Sequence, residues 1–230
     1  MTPDRPVGVV LLPGLDGTNA LRATFAARLS QDRAVTVIPY PDDEALDYRA
    51  LDGFVRDRLP EGRFVVLGES FSGPVAITLA HDAPDLVAGL ILVSTFAKNP
   101  WPSALSHAVP LLDARLCPDW LLDLIMLGDR TSPVLAHTLQ TVAAALPRAV
   151  LQARARAALT IDVSDQLAAT RCPVLCLSGR SDWLIQSRSR AHIVRCRPDC
   201  RVVTLDGAHN LLMTHVDEAT LAVGQFCNRA

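Results

Sequence analysis

The sequence predicts an α/β fold, with a mostly parallel sheet, helices on both faces and a helical cap insertion. Short apolar runs of strand length alternate with helical patterns on both sides of the middle of the chain, which is typical of a parallel sheet covered by helices. The stretch 97–165 interrupts this alternation, because it is rich in Leu and Ala and contains no convincing strand. We therefore predict a core formed by 1–96 and 166–230, with 97–165 inserted as a cap.

Six apolar runs predict the strands. Each is short and nearly continuously apolar, as expected for strands buried on both faces, and they cover 7–12, 35–38, 64–67, 90–93, 173–177 and 201–205. The helical patterns between and after them predict helices at 19–30, 44–59, 71–82, 187–195 and 215–228. The second of these ends at Pro60, since proline does not continue a helix.

The composition indicates a single globular domain or a domain that carries one insertion. The chain has 230 residues, of which 50% are hydrophobic, and this length allows a large core. Its net charge of −2 supplies no strong field for nucleic acid or an anionic membrane. No apolar run reaches the roughly 18 residues of a membrane span. The polar N-terminus lacks the apolar stretch of a signal peptide, so we expect a cytoplasmic protein.

The six cysteines are expected to be reduced thiols. Disulfides are not expected without a secretion signal. The pairs Cys172/Cys176 and Cys196/Cys200 suggest a test for zinc, but zinc sites usually have shorter spacing or add histidines. The sequence therefore predicts no metal site.

The segment Gly68-Glu69-Ser70-Phe71-Ser72-Gly73 has the layout of a nucleophile elbow. A buried strand stops at a small residue, a serine follows two positions later, and a helical pattern begins at once, which exposes the serine hydroxyl above the sheet. The usual pattern is G-x-S-x-G. Here Ser72 occupies the final glycine position, so we expect a slightly wider or more strained turn. The alternative is a plain Gly/Ser turn after a buried strand.

Two residues that follow later strands complete a predicted triad with Ser70. A serine hydroxyl needs a base to remove its proton, and the base needs an orienting acid. Asp182 follows the fifth strand and His209 the sixth, so both belong to the carboxyl edge of the sheet, where catalytic groups gather. The open alternatives are a turn or helix-cap role for Asp182, a surface position for His209, and Asp206 as the acid.

The loop after the first strand predicts part of an oxyanion hole. Acyl transfer places negative charge on a carbonyl oxygen, which fixed backbone N–H groups stabilise. We expect the donors to be the amides of Phe71, directly after the nucleophile, and of Leu15 in the loop. Gly14 would let the backbone approach the substrate. The alternative, a phosphate-binding loop, is disfavoured because the segment lacks G-x-G-x-x-G and the P-loop lysine.

With these segments the chain resembles the α/β-hydrolase superfamily over nearly its whole length. Residues 12–18 together with 68–73 resemble the esterase/lipase/thioesterase branch whose oxyanion loop reads P-G-x-D-G-T. The region from Thr160 to His209 resembles bacterial carboxylesterases that cleave the methyl ester of pimeloyl-carrier protein. The resemblance implies a hydrolase with a helical cap and no cofactor. Pro13, where many relatives have histidine, and Ser72 depart from the pattern without removing a catalytic group.

The cap is expected to cover the active site, because an insertion after the fourth strand lies above the carboxyl edge of the sheet. Its large apolar side chains would line an acyl pocket or pack the cap against the body: Trp101, Leu105, Leu111, Leu112, Trp120, Leu121, Leu124 and Met126. The candidates for substrate contact are Gly14, Trp101, Leu111, Trp120 and Leu124.

The charged residues near these segments each allow two interpretations of their role. Arg148, Arg154 and Arg156 on a predicted cap helix form either a solvated face or a site for an acidic carrier protein or a substrate carboxylate. Glu69, beside the nucleophile, is expected to be structural or to tune the electric field of the pocket.

Together these features predict a serine hydrolase that cleaves a carboxylic ester, or an acyl thioester, through an acyl-enzyme on Ser70. Acyl transfer to an alcohol, a cofactor-free lyase or peroxidase, and a ligand receptor without turnover are the alternatives, since fold does not fix function. The expected partner is a small-molecule or carrier-linked ester and not nucleic acid. The chain is expected to be a monomer or a homodimer.

Overall fold

A computed structural model describes residues 6–111, 113 and 116–230 of the chain. Residues 1–5, which belong to the predicted polar N-terminus, and Leu112, a predicted cap residue, lie outside the described part.

The strands form one six-stranded sheet in the order β2-β1-β3-β4-β5-β6, and every neighbouring pair is parallel. This confirms the predicted sheet. The strands are β1 (Gly8–Leu12), β2 (Val35–Val37), β3 (Phe64–Glu69), β4 (Val87–Val93), β5 (Val174–Gly179) and β6 (Arg201–Leu205). The fourth strand begins earlier than predicted, because Val87 already pairs with Phe64.

Ten α-helices occur within the described ranges: α1 (Ala23–Leu29), α2 (Tyr48–Arg56), α3 (Gly73–Asp82), α4 (Asp119–Met126), α5 (Pro133–Ala145), α6 (Arg148–Thr160), α7 (Ser164–Ala169), α8 (Ser187–Cys196), α9 (Leu211–Thr214) and α10 (Val216–Cys227). The second helix is shorter than predicted, since Asp47 caps it by accepting a hydrogen bond from the amide of Ala50. The 3₁₀ helices in the described part are Ala20–Arg22, Ser70–Ser72, Ser103–Leu111 and Gly128–Arg130.

The two faces of the sheet bury separate apolar clusters, because successive side chains of a strand point to opposite faces. In β1, Val10 and Leu12 pack with residues of α2, α3, α7 and α8, whereas Val9 and Leu11 pack with residues of α1, α9 and α10. Helices therefore cover both faces, as the sequence predicts.

The segments that lead into and out of the cap pair with each other. Lys98 and Asp162 form an isolated antiparallel bridge, and backbone hydrogen bonds join Asn99 to Ile161 and Val163 to Ala97. Between these segments lie α4, α5 and α6. The division of the chain at 97–165 stays a prediction.

No single helix in the described part is long and apolar enough to span a membrane, and α5 and α6 reach that length and composition only as a pair bent by 96°. The six cysteines are free thiols.

Candidate active site

Ser70 lies at the sharp turn between β3 and α3. Its φ of +50° lies in the left-handed region, which is strained for a residue with a side chain and is often found at functional sites. The carbonyl oxygen of Ser70 accepts a hydrogen bond from the Thr95 hydroxyl, so the segment that follows β4 holds the turn. The predicted sharp strand-to-helix turn at Ser70 is therefore present, and its role as a nucleophile elbow stays a prediction.

The turn requires small residues, as predicted. A Cβ on Gly68 would lie 2.6 Å from the carbonyl oxygen of Ser72 and 2.8 Å from the Cβ of Ala76, distances that real Cβ atoms do not tolerate. Helix α3 thus doubles back onto the end of β3, and only glycine fits between them.

Ser72 itself carries no backbone strain, and the expected widening of the turn stays a prediction. Its backbone angles, φ −84° and ψ −1°, lie in the ordinary right-handed region. Its buried hydroxyl donates a hydrogen bond to the carbonyl oxygen of Pro13 and lies 2.5 Å from the hydroxyl of Tyr40. The serine that replaces the usual glycine therefore ties the elbow to the loop after β1.

His209 and Asp182 meet Ser70 at the carboxyl edge of the sheet. The Nε2 atom of His209 lies 2.8 Å from Ser70 Oγ, and its Nδ1 atom lies 2.9 Å from Asp182 Oδ2. Both side chains are only 2% exposed. The other oxygen of Asp182 accepts the amides of Leu184 and Ile185, at 3.0 and 2.8 Å. Because these bonds fix the carboxylate, it can in turn fix the orientation of the imidazole.

Asp206, the rival acid, lies elsewhere. Its side chain is 86% exposed and lies 3.5 Å from Arg180. It therefore does not contact the ring of His209 in the way that Asp182 does.

The charge of Asp182 favours a proton on His209. Burial alone disfavours the imidazolium, but the attraction of Asp182 and its hydrogen bond outweigh burial, and the pKa of His209 rises above its ordinary value. An imidazole of raised basicity is suited to taking a proton from a serine hydroxyl.

A buried ion cluster joins the loop after β1 to the elbow. Arg22 donates from Nε to Glu69 (2.5 Å) and from Nη2 to Asp16 (2.9 Å), and its side chain is 2% exposed. Asp16 also accepts hydrogen bonds from the amide and hydroxyl of Thr18. Burial would raise the pKa of Asp16, but Arg22 and these hydrogen bonds lower it overall. Glu69 thus has a structural partner.

Sequence reasoning missed Arg22. The available signal was an arginine among the apolar residues that directly follow a turn-rich loop. Arginine is rarely buried unless it is paired with a carboxylate.

The three arginines of α6 do not form one basic group. Arg148 and Arg156 are exposed, but Arg154 is 1% exposed. Its guanidinium donates to the carbonyl oxygens of Leu15 and Pro41, each at 2.8 Å. Arg154 therefore does not belong to a solvent-exposed helix face. It joins α6 to the loop after β1.

Two chambers with largely apolar walls meet at Ser70, and Leu15, Leu151 and Leu184 line both. The larger chamber has a volume of about 390 Å³, and none of the described residues that line it is charged; they include Phe71, Phe96 and Trp101. The smaller chamber, of about 220 Å³, is lined by Gly14, His209, Asn210 and apolar residues of α4 and α5, and also by the buried ion cluster of Asp16, Arg22 and Glu69.

The predicted substrate-contact residues divide between these chambers and the surface. Trp101 lines the larger chamber and Gly14 the smaller. Leu111, Trp120 and Leu124 line neither, and they are 76%, 68% and 46% exposed. The structure therefore brings Ser70, His209, Asp182, Leu15, Phe71, Gly14 and Trp101 together and leaves these three cap residues outside.

Known sequences show where this chain belongs. The model of the serine aminopeptidase S33 family matches residues 31–214. A pimeloyl-[acyl-carrier protein] methyl ester esterase from Nitrosomonas europaea is 29% identical over 190 residues, which cover 76% of this chain and 68% of that protein. The putative carbamate hydrolase RutD from Rhizobium rhizogenes is 22% identical over 97% of this chain and 94% of its own length.

Solved structures show the same fold. An enol-lactonase from Burkholderia xenovorans superposes with a TM-score of 0.86 at 18% identity, covering 99% of this chain and 94% of that one. An esterase from Thermogutta terrifontis superposes with a TM-score of 0.79 at 21% identity, covering 97% and 90%. The predicted α/β-hydrolase fold is thereby confirmed, and the family match over most of the chain establishes that it belongs to the serine aminopeptidase S33 family of α/β-hydrolases.

Proposed function

We propose that this chain hydrolyses carboxylic esters of apolar acids through an acyl-enzyme on Ser70. The observation that carries the proposal is the line of short contacts from Ser70 Oγ through His209 to Asp182, 2.8 and 2.9 Å long, at the point where the two chambers meet. The relatives and structural neighbours named as esterases support the same class of reaction.

In the proposed mechanism, His209 Nε2 takes the proton of Ser70 as its oxygen attacks the ester carbonyl carbon. The imidazolium, stabilised by Asp182, then gives the proton to the alcohol oxygen as the carbon–oxygen bond of the ester breaks. Water, activated by the same imidazole, cleaves the acyl-enzyme and releases the acid. The proton that His209 takes from this water passes to Ser70 Oγ as the acyl–oxygen bond breaks, which regenerates the serine, and water is the one co-reactant besides the ester.

The oxyanion hole consists of the amides of Leu15 and Phe71 in this proposal. Both residues line the larger chamber beside Ser70. Phe71 is held by its ring, which stacks on Tyr48 at 4.7 Å, and by its carbonyl oxygen, which accepts the Tyr48 hydroxyl at 2.9 Å. Donors fixed in this way stabilise the developing charge without having to reorganise during the reaction.

The larger chamber points to an uncharged acyl group. Its described lining contains no side chain that would pair with a carboxylate, and a carboxylate buried without a partner is costly. Arg154 does not line this chamber, and its Nη1 and Nη2 atoms donate to the carbonyl oxygens of Leu15 and Pro41. We therefore favour a small-molecule ester of an apolar acid over an acyl group that ends in a carboxylate.

Hydrolysis of p-nitrophenyl esters from acetate to dodecanoate, compared between the protein and Ser70→Ala, tests the proposal. We expect an optimum in chain length and a loss of the order of 10⁶-fold in kcat in the variant, as for other triad nucleophiles. Product analysis in the presence of an added alcohol separates hydrolysis from acyl transfer, since only transfer makes a new ester. Activity that survives in Ser70→Ala would exclude the mechanism.

A further inference from the structure

We propose that the smaller chamber binds the alcohol portion of the ester, and that the chain prefers esters of apolar alcohols of benzyl or hexyl size to methyl esters. The inference rests on the proposed function, which it deepens by naming the leaving group.

The position of His209 assigns the two chambers. In a tetrahedral intermediate on Ser70, the oxyanion faces the amides of Leu15 and Phe71, so the acyl chain and the alcohol oxygen take the two remaining directions. The alcohol oxygen must lie within reach of His209 Nε2, which protonates it as the carbon–oxygen bond breaks. His209 lines the smaller chamber and is not among the residues that line the larger one. The alcohol therefore extends into the smaller chamber and the acyl chain into the larger.

The size of the smaller chamber indicates the size of the alcohol. An apolar protein cavity of about 150 Å³ is large enough to bind benzene, and this chamber measures about 220 Å³. A methyl group would leave most of it unfilled, and unfilled apolar space forfeits contacts. A benzyl or hexyl group would fill it.

The walls of the smaller chamber indicate an uncharged alcohol. Its cap side consists of aliphatic and thioether side chains, among them Leu122, Met126, Leu139 and Ala143. The buried ion cluster, in which Arg22 bonds the two carboxylates of Asp16 and Glu69, also lines it. One arginine against two carboxylates leaves an excess of negative charge, which disfavours an anionic leaving group.

Two alanines offer matched substitutions that test this assignment. Ala143 lies on α5 in the smaller chamber, and Ala155 lies on α6 in the larger. Ala143→Phe fills the first chamber and Ala155→Phe the second, while neither residue contacts Ser70, His209 or the proposed oxyanion donors in any described hydrogen bond. Ala143→Leu and Ala155→Leu are the milder versions, to be used if a phenylalanine variant does not fold.

The substrates are two ester series followed by acid release. One series keeps acetate and varies the alcohol from methyl to hexyl and benzyl. The other keeps methyl alcohol and varies the acid from acetate to decanoate. We expect wild-type kcat/KM to rise from methyl acetate to benzyl acetate. We expect Ala143→Phe to reduce kcat/KM for benzyl acetate by about tenfold or more with little effect on methyl octanoate, and Ala155→Phe to do the reverse.

The outcomes separate this inference from the proposed function. If both series are hydrolysed, three results would contradict the leaving-group assignment. Two concern the variants: each reduces kcat/KM for the series assigned to the other, or each reduces both series equally. The third is a wild-type enzyme that prefers methyl acetate to benzyl acetate. If neither series is hydrolysed and Ser70 does not react with an alkyl phosphonate, the proposed function itself fails and the inference fails with it.

Discussion

Arg154 Nη1 of the cap lies 2.8 Å from the carbonyl oxygen of Leu15, the residue whose amide is a proposed oxyanion donor. The same guanidinium reaches Pro41 and lies over the ring of Tyr40 at 5.6 Å. Helix α6 thus holds the loop after β1 through Arg154, and the buried ion cluster holds the same loop through Asp16. The position of the loop that carries this proposed donor therefore depends on how α6 packs against it.

Replacing Arg154 tests this dependence. Arg154→Met removes both hydrogen bonds to the loop but keeps much of the apolar stem, so we expect kcat to fall roughly 10- to 100-fold through misplacement of the donor, with KM changed much less. Arg154→Lys, which can bond one carbonyl, should recover part of kcat. Arg156→Met is the matched control, because Arg156 is exposed on the same helix. A lower melting temperature with unchanged kcat would limit Arg154 to a structural role.

The raised pKa of His209 predicts a pH dependence of the reaction. The base must be neutral to take the proton of Ser70, so kcat/KM should fall as pH falls through a pKa that lies above the ordinary 6.5. Asp182→Asn removes the attraction that raises this pKa and leaves burial, which lowers it. The acidic limb should therefore move to lower pH in Asp182→Asn, while kcat drops by about 10⁴-fold.

Rates of p-nitrophenyl acetate hydrolysis from pH 5 to 9 measure both effects. An acidic limb at the same pH in the two proteins would show that Asp182 does not set the basicity of His209.

The sequence predicted the sheet, and the meeting of the three triad candidates, because their signals are local. Six apolar runs mark the strands, and Ser70, Asp182 and His209 each directly follow one of them, so parallel topology alone brings them to one edge of the sheet. The partners of Arg22 and Arg154 depend on which helix packs where, and no local pattern encodes that. Likewise, the cap pattern shows apolar residues without showing which of them face the site, so Trp101 and the exposed Trp120 looked alike.

The contact between Ser72 and Tyr40 predicts a coupled pair. Burial raises the pKa of Tyr40, so its hydroxyl remains protonated and donates to Ser72 Oγ, which in turn donates to Pro13. Ser72→Ala leaves the phenol and the carbonyl without this partner, and we expect a loss of about 1–3 kcal/mol in the free energy of unfolding. Tyr40→Phe should lower the free energy of unfolding less in the Ser72→Ala background than in the wild-type protein. In that background the Tyr40 hydroxyl has already lost its hydrogen bond to Ser72.

A double-mutant cycle in urea measures the coupling, which we expect to lie between about 0.5 and 3 kcal/mol. Strictly additive losses would show that the hydroxyls do not stabilise the fold as a pair.

Two glycines with opposite surroundings test the geometry of the elbow. A Cβ on Gly68 would meet the carbonyl oxygen of Ser72 at 2.6 Å, whereas a Cβ on Gly53 would have no neighbour within 4 Å. Gly53 lies inside α2, where alanine is favoured over glycine by up to about 1 kcal/mol. We therefore expect Gly53→Ala to stabilise the protein slightly and leave kcat unchanged.

Gly68→Ala should instead lower both the stability of the protein and kcat. The obstructing oxygen belongs to the backbone of the turn, which cannot rotate away as a side chain would, so α3 must move relative to β3. Overpacking of this kind costs about 1–3 kcal/mol, and the same movement displaces Ser70 from His209, so kcat should fall more than the lost stability explains. Thermal unfolding and ester hydrolysis of the two variants measure both quantities. A folded Gly68→Ala protein with full activity would mean that the elbow can open without moving the serine, contrary to the close packing seen here.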